Sequence, residues 1–378
     1  MIISFFTTCI GNGPIVKNNY KTYKYFKNNF NKDLKCHYVT TEEHPHWKDV
    51  EIVDVEIFNL KSKKAVTMLL KYWCYVRREK PTFVVASGPL QSMIALLVRL
   101  VFRGKEKIIV NNHTVMSIFL EEQKTFIDRK LLKYIIMFLY QFSDLILAIS
   151  KDVAEDLERF LKLPNGTVMV AYNPSYDEKI LSLRSEKNSH KWFLEGRTVV
   201  ITAARLSPEK DISTLLKSFE ILRKKFDCRL LILGRGELLE QLKNEARLLA
   251  IEPWVDFVGF VPNPFSYFAR ASVFVLSSVY EGFGNVLIEA LACNCPCVAT
   301  RCPGGPREIL DDGRYGLLVE VGNARAMADA IERQISMPNR DGIQNRASEF
   351  SVENTRAVLG MTLWAKLRMK RSSIGEGC

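Results

Sequence analysis

Short apolar runs alternate with longer helical patterns along most of this chain, and no other feature restricts its fold as strongly. The first half holds IISFFTT (2–8), FVVASG (83–88), KIIVNN (107–112) and LILAIS (145–150). The second half adds TVVITAA (198–204), RLLILG (229–234), VDFVGF (255–260), SVFVLSS (272–278) and PCVAT (296–300). Amphipathic stretches such as ISTLLKSFEILRKKF (212–226) and ELLEQLKNEARLLA (237–250) separate them. Strand-length apolar runs interleaved with helices predict an α/β class, with parallel sheets covered by helices. Between Tyr172 and Arg197 the pattern lapses into a polar segment broken by Pro174, which places a domain boundary there. A chain of 378 residues is long enough for two cores. The expected domains are 1–173 and 174–350, with 351–378 as a C-terminal segment. Open parallel sheets bind ligands outside the carboxyl ends of their strands, so the loops after these runs are where chemistry is expected.

Several function classes can be set aside. Hydrophobic residues make up 47% and charged residues 25%, which describes a globular chain. Its formal charge is +11, of which the first 190 residues carry +8, and that imbalance points to an anionic partner. Nucleic acid is the weaker candidate, since no helix-turn-helix, RNA-binding signature or zinc finger is present. The opening MIISFFTTCIG lacks a basic flank and is too short in its apolar run for a signal peptide. Leu131–Ile149 is nearly long enough to span a membrane, but Lys133, Gln141 and Asp144 interrupt it, so a helix followed by a short strand is expected. Met93–Phe102 ends in the basic RGKEK and reads as a core helix or as one resting on lipid head groups. The cysteines Cys293, Cys295, Cys297 and Cys302 lack the paired spacing of structural zinc sites and lie where a strand is expected. They read as buried free thiols, which suits a reducing compartment. His44 and His46 lack a third ligand and read as loop residues.

Four loops after strands in the second half carry the candidate chemistry. Arg205 and Lys210 in RLSPEKD offer two cations suited to a phosphate, with Asp211 as the cap of the next helix. Gly234 and Gly236 begin a glycine-rich turn, but Leu239 stands where the dinucleotide fingerprint has its third glycine, so a hydride-transfer enzyme is disfavoured. In EGFGNVLIEALA, a helix starting near Gly284 leaves the amides of Phe283, Gly284, Asn285 and Val286 without intrahelical acceptors, an anion site strengthened by the helix dipole. Gly282 and Gly284 remove side chains that would block a phosphate. Glu281 and Glu289 would repel a phosphate and suit hydroxyls instead. RCPGGPREIL supplies a rigid turn through Gly304 and Gly305 before Glu308.

In order and spacing, ARLSPEKD, LILGRGELLEQL, VDFVGFV, EGFGNVLIEALA, CPGGPREIL and GLLV resemble the nucleotide-binding half of the family 4 retaining glycosyltransferases (glycosyl transferases group 1) across residues 198–335. That resemblance implies the GT-B fold, two Rossmann-like domains with parallel sheets facing a central cleft. Its C-terminal helix crosses back to the first domain, and 352–370 is the candidate for it. It implies that Glu281 and Glu289 are the family's acid-x7-acid pair, holding the sugar and the ribose respectively. Arg205, Lys210 and the amides of Phe283–Asn285 would hold the diphosphate, with Gly234, Gly236 and Val261 also at the nucleotide and no metal or other cofactor needed. In the first half, Gly11, Asn12 and Gly13 resemble the acceptor loop, and His113 stands where the family has a histidine near the transferred sugar. The implied reaction moves a hexose or N-acetylhexosamine from a nucleotide diphosphate sugar, UDP-linked in the first instance. Its implied acceptor is a polyisoprenyl-diphosphate-linked sugar or a surface glycan. Peripheral contact with an anionic membrane at its cytoplasmic face is expected through the helices near 90–107 and 124–140. A nucleotide-sugar 2-epimerase of the same fold and a non-catalytic binding subunit are the alternatives.

Overall fold

The apolar runs form strands because Val, Ile, Leu and Phe stack on a pleated surface that helices cover from both sides. In the computed structural model, residues 1–8, 14–42, 52–62, 64–123 and 126–356 are described. The chain divides into two compact units, one comprising Met1–Pro174 and the segment from Val352, the other Ser175–Ser351.

Seven strands build the sheet of the first unit: β1 (Ile2–Thr7), β2 (Lys35–Thr40), β3 (Val55–Asn59), β4 (Phe83–Ser87), β5 (Lys107–Asn112), β6 (Leu145–Ala148) and β7 (Met169–Val170). All pair in parallel in the order β3-β2-β1-β4-β5-β6-β7, so the direction of winding reverses between β1 and β4. Side-chain alternation sends Phe6, Val84, Ile108 and Ile146 to one face. There they pack under α2 (Ala65–Glu79), α3 (Pro89–Phe102), α4 (Met116–Glu121), α5 (Phe126–Tyr140) and α6 (Lys151–Leu161). Ile3, Phe5, Val85, Ile109 and Leu147 face the other way. That face is covered in part by Val16 and Tyr23 of a helix early in the chain, Pro14–Asn29, which is polar along most of its length.

The second unit has six parallel strands: β8 (Thr198–Ala203), β9 (Cys228–Leu233), β10 (Val255–Gly259), β11 (Val273–Leu276), β12 (Cys297–Thr300) and β13 (Leu317–Val319). Their order is β10-β9-β8-β11-β12-β13, which puts the reversal between β8 and β11. Helices Ile212–Arg223, Leu239–Leu248 and Ala324–Ser336 complete its main core with Leu215, Phe219 and Ile331. The polar segment around the boundary is partly structured, with short helices at Lys179–Leu183 and Lys191–Leu194, and Trp192 buried.

Leu131–Ile149 separates into α5 and β6, with Asp144 in the turn between them. Asp144 pairs with Arg99 and Lys107 and accepts the Ile108 amide at 3.0 Å, so the acid that breaks the apolar run also ties α3 to β5. No helix among the described residues is long and apolar enough to cross a membrane. Residues 352–356 are helical. The remainder of the 352–370 segment, the loop of Gly11, Asn12 and Gly13, and His44 and His46 lie outside the described residues.

Candidate functional site

In the second unit, the reversal of winding brings the loop after β8 beside the loop after β11, and two predicted residues meet there. Lys210 Nζ donates to Glu281 Oε1 at 2.7 Å, with side-chain exposures of 19% and 11%. Ser278 Oγ donates to the same carboxylate oxygen at 2.7 Å. Ser277 Oγ donates to the Lys210 carbonyl at 2.8 Å, and the Val279 amide to the Glu209 carbonyl at 2.8 Å. The two loops are thus laced through backbone as well as side chains. The serines are the part that sequence reading missed, although the change from VFVL to SS at the strand end marks where the apolar run stops.

Arg205 is exposed in the same loop. Asp211 caps the helix Ile212–Arg223, its Oδ1 accepting the Thr214 amide at 3.2 Å and its Oδ2 the Thr214 hydroxyl at 2.6 Å. That cap fixes the residue after Lys210, and with it the origin of the lysine side chain.

The predicted glycines serve close backbone contacts. A Cβ on Gly234 would lie 1.9 Å from the Ala204 carbonyl oxygen, and one on Gly236 2.2 Å from that of Leu206. One on Gly304 would lie 1.8 Å from the Glu281 carbonyl oxygen, and one on Gly305 2.1 Å from that of Phe283. The loops after β8 and β9 touch each other in this way, as do the loops after β11 and β12. Their glycines let the loops approach this closely.

The helix of the EGFGN segment runs Asn285–Ala292, with Gly284 before it at φ 94°. Phe283 is buried, its ring edge-on to Phe350 at 5.6 Å. Asn285 Oδ1 accepts from Ser175 Oγ at 2.8 Å. Glu289, five residues into the helix, and Gly282 are part-buried, as is Val261 just beyond β10. The Pro-Gly-Gly-Pro turn leads to Glu308, whose carbonyl accepts Arg346 Nη2 at 2.6 Å. Cys293, Cys295, Cys297 and Cys302 are buried free thiols, and burial pushes those of Cys293 and Cys302 up to about 12. Among the described residues, no group of three or more His, Cys, Asp or Glu could hold a metal ion.

In the first unit the same kind of reversal lies between β1 and β4, where Gln91 Nε2 donates to Thr8 Oγ1 at 3.1 Å. His113 follows β5. Its Nε2 is enclosed without a partner, and burial, then the Arg356 guanidinium, lower its pKa to about 4, so the imidazole is neutral at pH 7. Arg356 is 5% exposed and donates to the Tyr172 carbonyl at 3.1 Å. Sequence reading did not single out Arg356, and a lone arginine near a chain's end carries no signal for it.

Comparison with known proteins supplies the family. Residues 184–350 match the glycosyl transferases group 1, and residues 34–175 match Glycosyltransferase Family 4. The chain is 33% identical, over 73% of its length and 73% of the relative's, to an N-acetylgalactosamine-N,N'-diacetylbacillosaminyl-diphospho-undecaprenol 4-alpha-N-acetylgalactosaminyltransferase of Campylobacter jejuni. It is 27% identical to the capsular polysaccharide biosynthesis glycosyltransferase CapM of Staphylococcus aureus, over 75% of this chain and 73% of CapM. Among solved structures, Anabaena HepE in complex with UDP-glucose superposes with a TM-score of 0.79 at 19% identity, covering 97% of this chain and all of HepE. This likeness, with the two parallel sheets, identifies the fold as GT-B.

Proposed function

The chain belongs to the family 4 glycosyltransferases, and from that membership we propose that it moves a hexose or N-acetylhexosamine, with retention, from a UDP-sugar to a lipid-linked or surface-polysaccharide acceptor. One observation carries the donor half of this reading: Lys210, Glu281 and Ser278 meet at the reversal of the second sheet, where open parallel sheets bind their ligands. A diphosphate arriving there draws on Lys210 and Arg205. Glu281, relieved of part of its hold on Lys210, then accepts from sugar hydroxyls, and Glu289 from the ribose.

In the proposed reaction the bond from the anomeric carbon to the leaving phosphate oxygen breaks on the face that the acceptor oxygen attacks. The acceptor's proton passes to that phosphate oxygen. Charge develops on the leaving diphosphate, and Arg205 and Lys210 stabilise it without a divalent metal. His113, neutral and enclosed, is the candidate for a hydrogen bond to the transferred sugar.

The acceptor half rests on the relative from C. jejuni, whose name specifies a diphospho-undecaprenol substrate, and on the surface of the first unit. Leu100, Val101 and Phe102 at the end of α3 are exposed, as are Leu131, Tyr134 and Phe138 on the neighbouring α5. Arg103, Lys105, Lys130 and Lys133 are exposed among them. Apolar side chains interleaved with cations suit an anionic bilayer surface, so peripheral membrane contact is part of the proposal.

A thermal-shift series over UDP- and GDP-sugars in excess chelator tests the donor. A UDP-sugar should raise the unfolding temperature, because a ligand bound only by the folded state stabilises it by mass action. No shift with any nucleotide sugar would overturn the proposal. Free nucleotide with an altered sugar, formed without acceptor, would instead identify an epimerase.

A further inference from the structure

Among the described residues, the face of the first sheet opposite α2–α6 is incompletely covered. A partly open cavity lies between that face and α1 (Pro14–Asn29). Its sheet wall is apolar, made by Ile3, Phe5, Val85, Ile109 and Leu147. Its helix wall is graded. Asn18, Thr22 and Phe26 follow one another at a spacing of four, which puts them on one stripe of the helix, and Phe30 continues the spacing just past its end. That stripe runs from amide through hydroxyl to two aromatic rings over roughly 18 Å. Its apolar end reaches the surface beside Met1 and Phe30, both part-exposed.

The polar end holds donors that no described residue satisfies. Asn18 and Asn19 are buried, and the Nδ2 of each has no partner. Arg356 lines the same end with its Nε unpaired. No carboxylate among the described residues pairs with that guanidinium, and its one hydrogen bond goes to the Tyr172 carbonyl. Three buried donors, one of them cationic, are costly to hold unsatisfied. If Arg356 served only to tie the chain to Tyr172, the two asparagine donors would stay unexplained. His113 stands at the same end.

We propose that this cavity binds a single hydrocarbon chain with an anionic head group, the chain lying along α1 and the head against Asn18, Asn19 and Arg356. The apolar length excludes a free sugar or nucleotide as its occupant, and the buried Arg356 guanidinium excludes a hydrocarbon with a cationic head. Acyl and isoprenoid chains share this chemistry, and the test separates them. Binding is read without donor or acceptor sugar, so failure here leaves the transferase reading untouched.

The full chain is titrated calorimetrically, below micelle-forming concentrations, with farnesyl phosphate, myristate, farnesol and inorganic phosphate. One saturable site is expected for farnesyl phosphate or myristate, and the tighter of the two names the chain type. Farnesol should bind weaker by roughly tenfold or more, the value of a charged hydrogen-bonded head, and inorganic phosphate should not bind. Thr22→Phe, which fills the middle of the stripe, should abolish binding, and Arg356→Gln should erase the preference over farnesol. Should either variant fail to fold, a photoactivatable farnesyl phosphate is cross-linked to the wild-type chain and mapped by mass spectrometry. Cross-links on α1 or β5 are expected. No saturable binding of either amphiphile, equal affinity for farnesol, or cross-links confined elsewhere would each overturn the proposal.

Discussion

At the reversal point of the second sheet, a lysine and a glutamate meet within hydrogen-bond distance, held by two serines and a web of loop backbone. The first sheet, wound on the same plan, has the neutral pair Thr8 and Gln91 at the corresponding place. Its charge lies elsewhere, in an arginine buried beside a neutral histidine with no acid among the described residues to compensate it. The difference shows two ways for one topology to prepare for an anion. A nearly buried ion pair can give up its internal partner to a ligand at modest cost, since the lysine exchanges one anion for another. A buried unpaired cation has no such exchange available, so whatever occupies its cavity supplies the missing partner.

The largest effect should come from the second unit's cations. Arg205→Ala and Lys210→Ala are each expected to lower turnover about 10²–10³-fold, the usual consequence of removing one charge-stabilising donor. Near-normal turnover in both would break the assignment of that loop to the leaving diphosphate.

Next comes the backbone that holds the loops. Gly304→Ala puts a methyl group 1.8 Å from the Glu281 carbonyl oxygen, at a φ of 118°, so the loop must move. A loss of roughly 2–4 kcal/mol in chemical denaturation is expected. Gly166→Ala in the first unit is the contrast, because nothing lies within 4 Å of the added atom and only its φ of 81° opposes it. That change should cost about 1 kcal/mol. Equal losses at the two sites would show that close loop packing is not what the glycine at 304 provides.

A smaller effect separates the histidine of the first unit from the ion pair of the second. His113 has its pKa lowered by burial to about 4, from an ordinary 6.5. Between those values the unfolded chain holds a proton that the folded chain does not. Folding stability therefore declines as pH falls through that window, and this contribution is flat above and below it. His113→Gln should shallow the acid limb of a stability–pH profile. An unchanged limb would mean that His113 is protonated in the folded state as readily as in the unfolded one.

The parts of this account that sequence could supply share a physical reason. Runs such as VVITA and LLIL are apolar without interruption because both faces of their strands are covered, and β1, β4, β5, β6, β8, β9, β11 and β12 were legible on that ground. The edge strand β10, VDFVG, was readable despite Asp256. β2, KCHYVT, was not, since Lys, His and Thr break the run, yet His37 is buried with Nδ1 3.1 Å from the Tyr75 hydroxyl. That partner lies in another element, and no local pattern announces it. β3 is an edge strand with Glu56 and Ile57 exposed, while β7 and β13 are two and three residues long, too short for periodicity to act. In the candidate site, glycines and acids after a strand were readable as loop chemistry. The meeting of Lys210 with Glu281 required the strand order, and the grouping of Asn18, Asn19 and Arg356 required residues from opposite ends of the chain.

The claim that the Lys210–Glu281 corner receives a nucleotide diphosphate is tested most directly by calorimetric titration of UDP into the wild-type chain and Lys210→Ala, both in excess chelator. Metal-independent binding by the wild type, weakened at least roughly tenfold in the variant, is the predicted result. Equal UDP affinity in the two proteins, or wild-type binding that vanishes with the chelator, would contradict it.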